Sequence, residues 1–101
     1  MAEKHKVARA QDVVENRGIA VAVGGRPIAL FRVGGKVYAM DNTCPHRGGP
    51  MSEGFLEGTR VACPWHGWSF DVCTGKHTMN PASSLATFPV SIEGEDVWIT
   101  V

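Results

Sequence analysis

Cys44-Pro45-His46-Arg47-Gly48-Gly49-Pro50 and Cys63-Pro64-Trp65-His66-Gly67-Trp68 decide how this chain of 101 residues is read. Sixteen residues separate His46 from Cys63. Each stretch carries one cysteine and one histidine, and a proline stiffens each. Soft thiolates and borderline imidazoles together are ligands for zinc or for an iron–sulfur centre. Either metal requires the thiolate formed and the imidazole neutral. The residues alone leave both open. The single-residue gap in Cys44-x-His46 is unusual for a zinc finger, and no recognition helix follows.

Outward from these stretches the chain reads as short strands. Lys6–Ala10 forms a first strand, and Asp12 is expected to cap one helical turn through Val13-Val14-Glu15. Gly18–Val23 is a second strand with Ile19, Val21 and Val23 on one face. Gly24-Gly25 and Gly34-Gly35 then bracket a strand at Pro27–Arg32. Paired glycines between alternating runs signal hairpins, because such turns need positive φ. Lys36–Asp41 follows, with Val37 and Ala39 on one face and Tyr38 and Met40 on the other. These strands are expected to form a meander.

Between the two motifs, Phe55-Leu56 and Val61-Ala62 suggest two very short strands. Trp68–Asp71 suggests another, ended by Thr74-Gly75. Lys76–Ser84 reads as a polar loop with a turn at Asn80-Pro81. A last hairpin places Phe88, Val90 and Ile92 opposite Val97, Ile99 and Val101 across Gly94-Glu95. Pro89 has no N–H to donate, so its position belongs at an edge or a bulge. The fold class is all-β, with the two cysteine–histidine loops capping adjoining hairpins.

The bulk numbers fit one domain spanning 1–101. Apolar residues make up 44% of the chain, as in a folded domain. Ten basic residues balance ten acidic ones, which gives no reason to expect nucleic acid or an anionic membrane as partner. The N-terminus, Met1-Ala2-Glu3-Lys4, lacks an apolar export segment, so cytoplasmic location is expected. Three cysteines in such a chain favour metal ligation over disulfides.

The pattern Cys44-x-His46…Cys63-x-x-His66, with its surrounding glycines and prolines, closely resembles the Rieske iron–sulfur family. The resemblance runs from about Ala39 to Gly75, and more weakly to a third loop around Pro81. It implies a Rieske-type fold of small antiparallel sheets with a cluster-binding portion over about 42–82. It also implies one [2Fe–2S] cluster, with Cys44 and Cys63 on one iron and His46 and His66 on the other. Gly48, Gly49 and Gly67 would let backbone N–H groups approach the cluster sulfurs.

Replacing two thiolates by neutral imidazoles makes the oxidised site about neutral and the reduced site about −1, so an electron enters more easily than at an all-cysteine site. Respiratory members of the family add a disulfide and hydroxyl donors to the cluster. Here the corresponding positions are Gly49 and Trp65, and Trp68 and Phe70, so the bridge is impossible and the phenylalanine donates nothing. Fewer donors stabilise the reduced cluster less. The resemblance is therefore to the low-potential, ferredoxin type associated with oxygenases.

The implied function is one-electron transfer from a flavin-dependent reductase to a terminal oxygenase or similar acceptor, with no catalysis by the chain itself. The small Rieske subunit of a larger reductase, such as nitrite reductase, is the alternative. An oxygenase would need a further iron held by two histidines and a carboxylate. Only His5 and His77 remain after the cluster ligands, and both read as surface residues. Cys73 reads as a bystander thiol. Trp65 and Trp68 read as packing that keeps water off the cluster or, together with Pro50 and Met51, as a docking surface.

Overall fold

The computed structural model describes residues 3–43, 50–64, 69–78 and 84–100. Among them the ten strands are β1 (Lys4–Arg9), β2 (Gly18–Val23), β3 (Arg26–Val33), β4 (Lys36–Asp41), β5 (Phe55–Glu57), β6 (Arg60–Ala62), β7 (Ser69–Asp71), β8 (Thr87–Phe88), β9 (Val90–Glu93) and β10 (Asp96–Thr100). They form three antiparallel sheets, ordered β1-β10-β9, β2-β3-β4-β8 and β5-β6-β7. The all-β expectation is met.

The meander forms in the expected register, with Ala20 opposite Ala29 and Leu30 opposite Ala39. Both glycine pairs take positive φ, 58° and 81° at Gly24-Gly25 and 60° and 81° at Gly34-Gly35. A β-carbon is strained in that region, so glycine is what permits each two-residue turn.

Strand β3 is the centre of the molecule. Ile28, Ala29, Leu30 and Phe31 are all fully buried. Because successive side chains alternate, Ile28 and Leu30 face one core while Ala29 and Phe31 face another. The first core holds Val37, Ala39, Val97 and Ile99 and lies between the two larger sheets. The second joins Ala29, Phe31 and Met40 to Met51, Val61, Cys63, Phe70, Val72 and Leu85 of the smaller sheet and its loops. Each large apolar side chain buried this way contributes about 1.5–3 kcal/mol.

Several expectations are corrected. Asp12 caps no turn: the 3₁₀ turn is Ala10–Asp12, preceded by Arg9 without a side-chain cap. Arg32 donates instead from Nε to the Val13 carbonyl at 2.5 Å and from a terminal nitrogen to the Ala10 carbonyl at 2.7 Å. Glu15 accepts from the N–H groups of Gly34 and Gly35 at 2.7 and 2.9 Å. Pro89 divides the expected last strand between two sheets. Phe88 on β8 pairs with Ala39, whereas Val90 on β9 pairs with Ile99. Ile92 is 44% exposed rather than in the core, because β9 runs on to the edge of its sheet.

Candidate metal centre

The two motif loops spring from closed feet. An antiparallel bridge joins Thr43 to Pro50 across residues 44–49. Beneath it the Asn42 carbonyl accepts from Met51 N–H, and the Asn42 side-chain oxygen accepts from Ser52 N–H, both at 2.7 Å. Asp41 accepts from Thr43 N–H at 2.9 Å in an Asx turn. The second loop is closed by Ala62 pairing with Ser69 between β6 and β7. A 3₁₀ turn over Met51–Glu53 carries the chain from the first foot to Gly54, which packs directly against the Ala62 carbonyl of the second.

Cys63 leaves β6 at this foot. It is 1% exposed and sits in the core with Met51, Val61 and Phe70. It is a free thiol, unbridged. Cys44, His46 and His66 lie outside the described residues, as do Trp65, Trp68 and the third loop around Pro81. Among the described residues no group of three or more His, Cys, Asp or Glu side chains converges as a metal site. The donor set as a whole fits an iron–sulfur group: a thiol closed off from water, a second cysteine and two histidines, divided equally between two loops. A dry surrounding is what a metal-bound thiolate tolerates and a bare one does not.

The second foot has a further tie. Residues 76–78 run along the free side of β7, with His77 bridged to Phe70 and Asp71 N–H bonded to the Lys76 carbonyl at 2.9 Å. Thr78 N–H donates to the Ser69 carbonyl at 2.9 Å, and the two hydroxyls meet at 2.8 Å. The His77 ring packs edge-on to Phe70 with centroids 5.2 Å apart. The polar wording of 76–84 concealed this extension of the sheet. His77 is therefore half-buried rather than on the surface, and so is His5, which pairs with Ile99 within β1 and β10.

Met51 is also corrected: it is fully buried beneath the first foot and offers nothing to a docking surface. Among the described residues near the loops, Phe55 carries an exposed apolar side chain, at 72%. Alternation along β5 foreshadows this, since Phe55 shares a face with Glu57 while Leu56 turns inward. Cys73 is exposed in the turn after β7. The Tyr38 phenol is raised above its ordinary value of 10.0, first by hydrogen bonding to the Cys73 side chain, then by desolvation and by the nearby acids Cys73 and Asp71.

The model of the Rieske [2Fe-2S] domain matches residues 3–89. The chain belongs to the Rieske [2Fe–2S] family. The Rieske protein is 45% identical, over 87% of its own length and 86% of the other's, to the ferredoxin component of the naphthalene 1,2-dioxygenase/salicylate 5-hydroxylase systems of Ralstonia sp. A chain in the solved complex of reduced oxygenase and oxidized ferredoxin in carbazole 1,9a-dioxygenase superposes with a TM-score of 0.86 and 37% identity, covering 95% of this chain and 91% of that one. A solved chain described as a nitrite reductase NADPH small subunit superposes with a TM-score of 0.86 and 26% identity, covering 96% and 97%. Among the described residues of the Rieske protein, no helix is long and apolar enough to cross a membrane.

Proposed function

We propose that this Rieske protein is a one-electron carrier, the ferredoxin component of an oxygenase system. It receives electrons from a flavin-dependent reductase and passes them to a terminal oxygenase. The relatives that support this are named as ferredoxin components, not as oxygenases. The carrier role would leave substrate chemistry to the acceptor.

One [2Fe–2S] cluster would be held by Cys44 and Cys63 on one iron and by His46 and His66 on the other. When bound, it supplies reversible one-electron chemistry in the Rieske range of about −150 to +300 mV. The chain's own contribution is positional. Asn42 fastens the first foot, the Ala62–Ser69 pair fastens the second, and Gly54 sets the two against each other. Met51, Val61 and Phe70 keep water from the Cys63 side. The observation that carries the reading is this pairing of feet, each beneath a segment with one cysteine and one histidine. The reading extends to a single domain over 1–101, a cluster-binding portion over about 42–82, and a cytoplasmic location.

The likeness to a nitrite reductase small subunit favours a second reading, in which the chain is a bound subunit of a larger reductase. Stable co-purification with a large subunit would select it. For the cluster itself, iron and acid-labile sulfide analysis with EPR of the reduced protein is the test. Two irons and two sulfides per chain are expected. One tightly held zinc and no sulfide would replace the cluster by a structural zinc site.

A further inference from the structure

We infer that Arg26 sets the reduction potential of the centre by neutralising Asp41 at the foot of the first loop. The inference rests on the cluster reading above. Asp41 ends β4 and uses its two carboxylate oxygens separately. Oδ1 accepts from Thr43 N–H at 2.9 Å, and Oδ2 lies 3.6 Å from a terminal nitrogen of Arg26. Backbone holds Asp41 in place. It stands opposite Ile28 in the β3–β4 ladder, its N–H donates to the Ala86 carbonyl at 2.9 Å, and Asn42 N–H donates to the Pro27 carbonyl at 3.2 Å. Arg26 opens β3, and its guanidinium also lies over the Phe88 ring, 4.9 Å from the centroid.

Of the three ion pairs among the described residues, this one stands at a foot. Lys4–Glu93 joins β1 to β9, and Glu57–Arg60 flanks the β5–β6 turn at the far end of that hairpin from Ala62. Both partners of Arg26–Asp41 keep contact with solvent, so the pair adds little to stability. Its effect is on charge. Asp41 comes three residues before Cys44, and three peptide units reach at most about 11 Å. That is about one Debye length at 0.1 M ionic strength. An electron takes the centre from about neutral to about −1, so a bare carboxylate at the foot opposes reduction. Asn42 serves Ser52 N–H with a neutral oxygen, whereas Asp41 serves Thr43 N–H with a charged one. Arg26 lets that acceptor remain while its field largely cancels.

The test is a redox titration of the holoprotein at low and high salt. Arg26→Gln leaves the carboxylate bare and is expected to lower the midpoint potential, read as a several-fold fall in the ratio of reduced to oxidised protein at a fixed poise. Asp41→Asn keeps an acceptor for Thr43 N–H, leaves the cation bare and should raise the potential. The double variant should return to the starting value, Arg26→Lys should stay there, and high salt should shrink every shift. A packing defect would instead move both single variants the same way, without cancelling. Shifts of one sign in both, or an unchanged potential in Arg26→Gln at low salt, overturn the inference. Should Asp41→Asn fail to hold a cluster, Arg26→Gln against Arg26→Lys decides alone, and equal potentials in the two overturn it. A protein with no iron–sulfur spectrum before any substitution overturns the cluster reading instead, so the two failures are distinct.

Discussion

The α-carbon of Gly54 stands against the carbonyl oxygen of Ala62, so closely that a β-carbon there would overlap it. This contact presses the foot of the loop carrying Cys44 and His46 onto the foot of the loop carrying Cys63 and His66. Its φ of −73° is open to any residue, so the requirement is space alone.

Gly54→Ala is therefore expected to destabilise the fold by about 1–3 kcal/mol, the usual cost of overpacking against atoms that cannot move aside. Backbone belongs to that class. Gly58, with φ of 59° and open space around it, offers the contrast. Gly58→Ala strains the turn and leaves the two feet in contact. Denaturant unfolding with cluster content per chain separates them. Equal cluster content in both variants, with Gly54→Ala no less stable, would dispose of the packing argument.

Cys63 and Cys73 provide a sharper contrast. The first is buried beside the feet and the second is exposed in a turn. Cys63→Ser and His66→Cys are expected to abolish or drastically alter the visible spectrum. Cys73→Ser should retain it in full. A bleached Cys73→Ser protein would show the ligand set to be wrong.

The potential is expected near the bottom of the Rieske range, at about −150 mV. Gly49 and Trp65 cannot form a disulfide, and Phe70 has no hydroxyl. Phe70 is moreover fully buried in the second core, where a hydroxyl would have to find a partner. Protein-film voltammetry at neutral pH gives the value directly. A reading near +300 mV would point to a different partner chemistry.

The meander was legible because glycine pairs and period-two alternation agree over β2, β3 and β4. The short strands β5, β6 and β7 are legible from short apolar pieces bounded by turn residues. Long-range pairing was not. Nothing local in Lys4–Arg9 names Asp96–Thr100 as its partner, although the two are adjacent in the fold. The missing N–H of Pro89 signals an edge or a bulge, but it does not say that the chain changes sheets there. The burial of Met51 is not legible, because a methionine beside a metal motif suits a surface and a core equally well. The Ser69–Thr78 bond was invisible, since serine and threonine in a polar stretch read as loop. Cys44, His46 and His66 were read from spacing and lie outside the described residues.

Tyr38 makes stability depend on pH in the alkaline range. Its pKa is raised above the ordinary 10.0, first by the hydrogen bond to the Cys73 thiol and then by desolvation. Below about pH 10, folded and unfolded chains both keep the phenol proton, and the contribution of this bond is fully present. As pH rises past that point the unfolded chain releases its proton first. The folded chain then binds more protons than the unfolded one, so stability falls with pH until Tyr38 itself ionises. Tyr38→Phe has no proton to lose and should show a shallower decline over the same window. Tyr38 is the only tyrosine in the chain, so phenolate absorbance reports its titration without interference from another. Cys73→Ala removes the leading cause and should bring that titration down toward the ordinary value. A phenolate transition at the ordinary value in the unsubstituted protein, unmoved by Cys73→Ala, would show that the Tyr38–Cys73 bond carries no weight in solution.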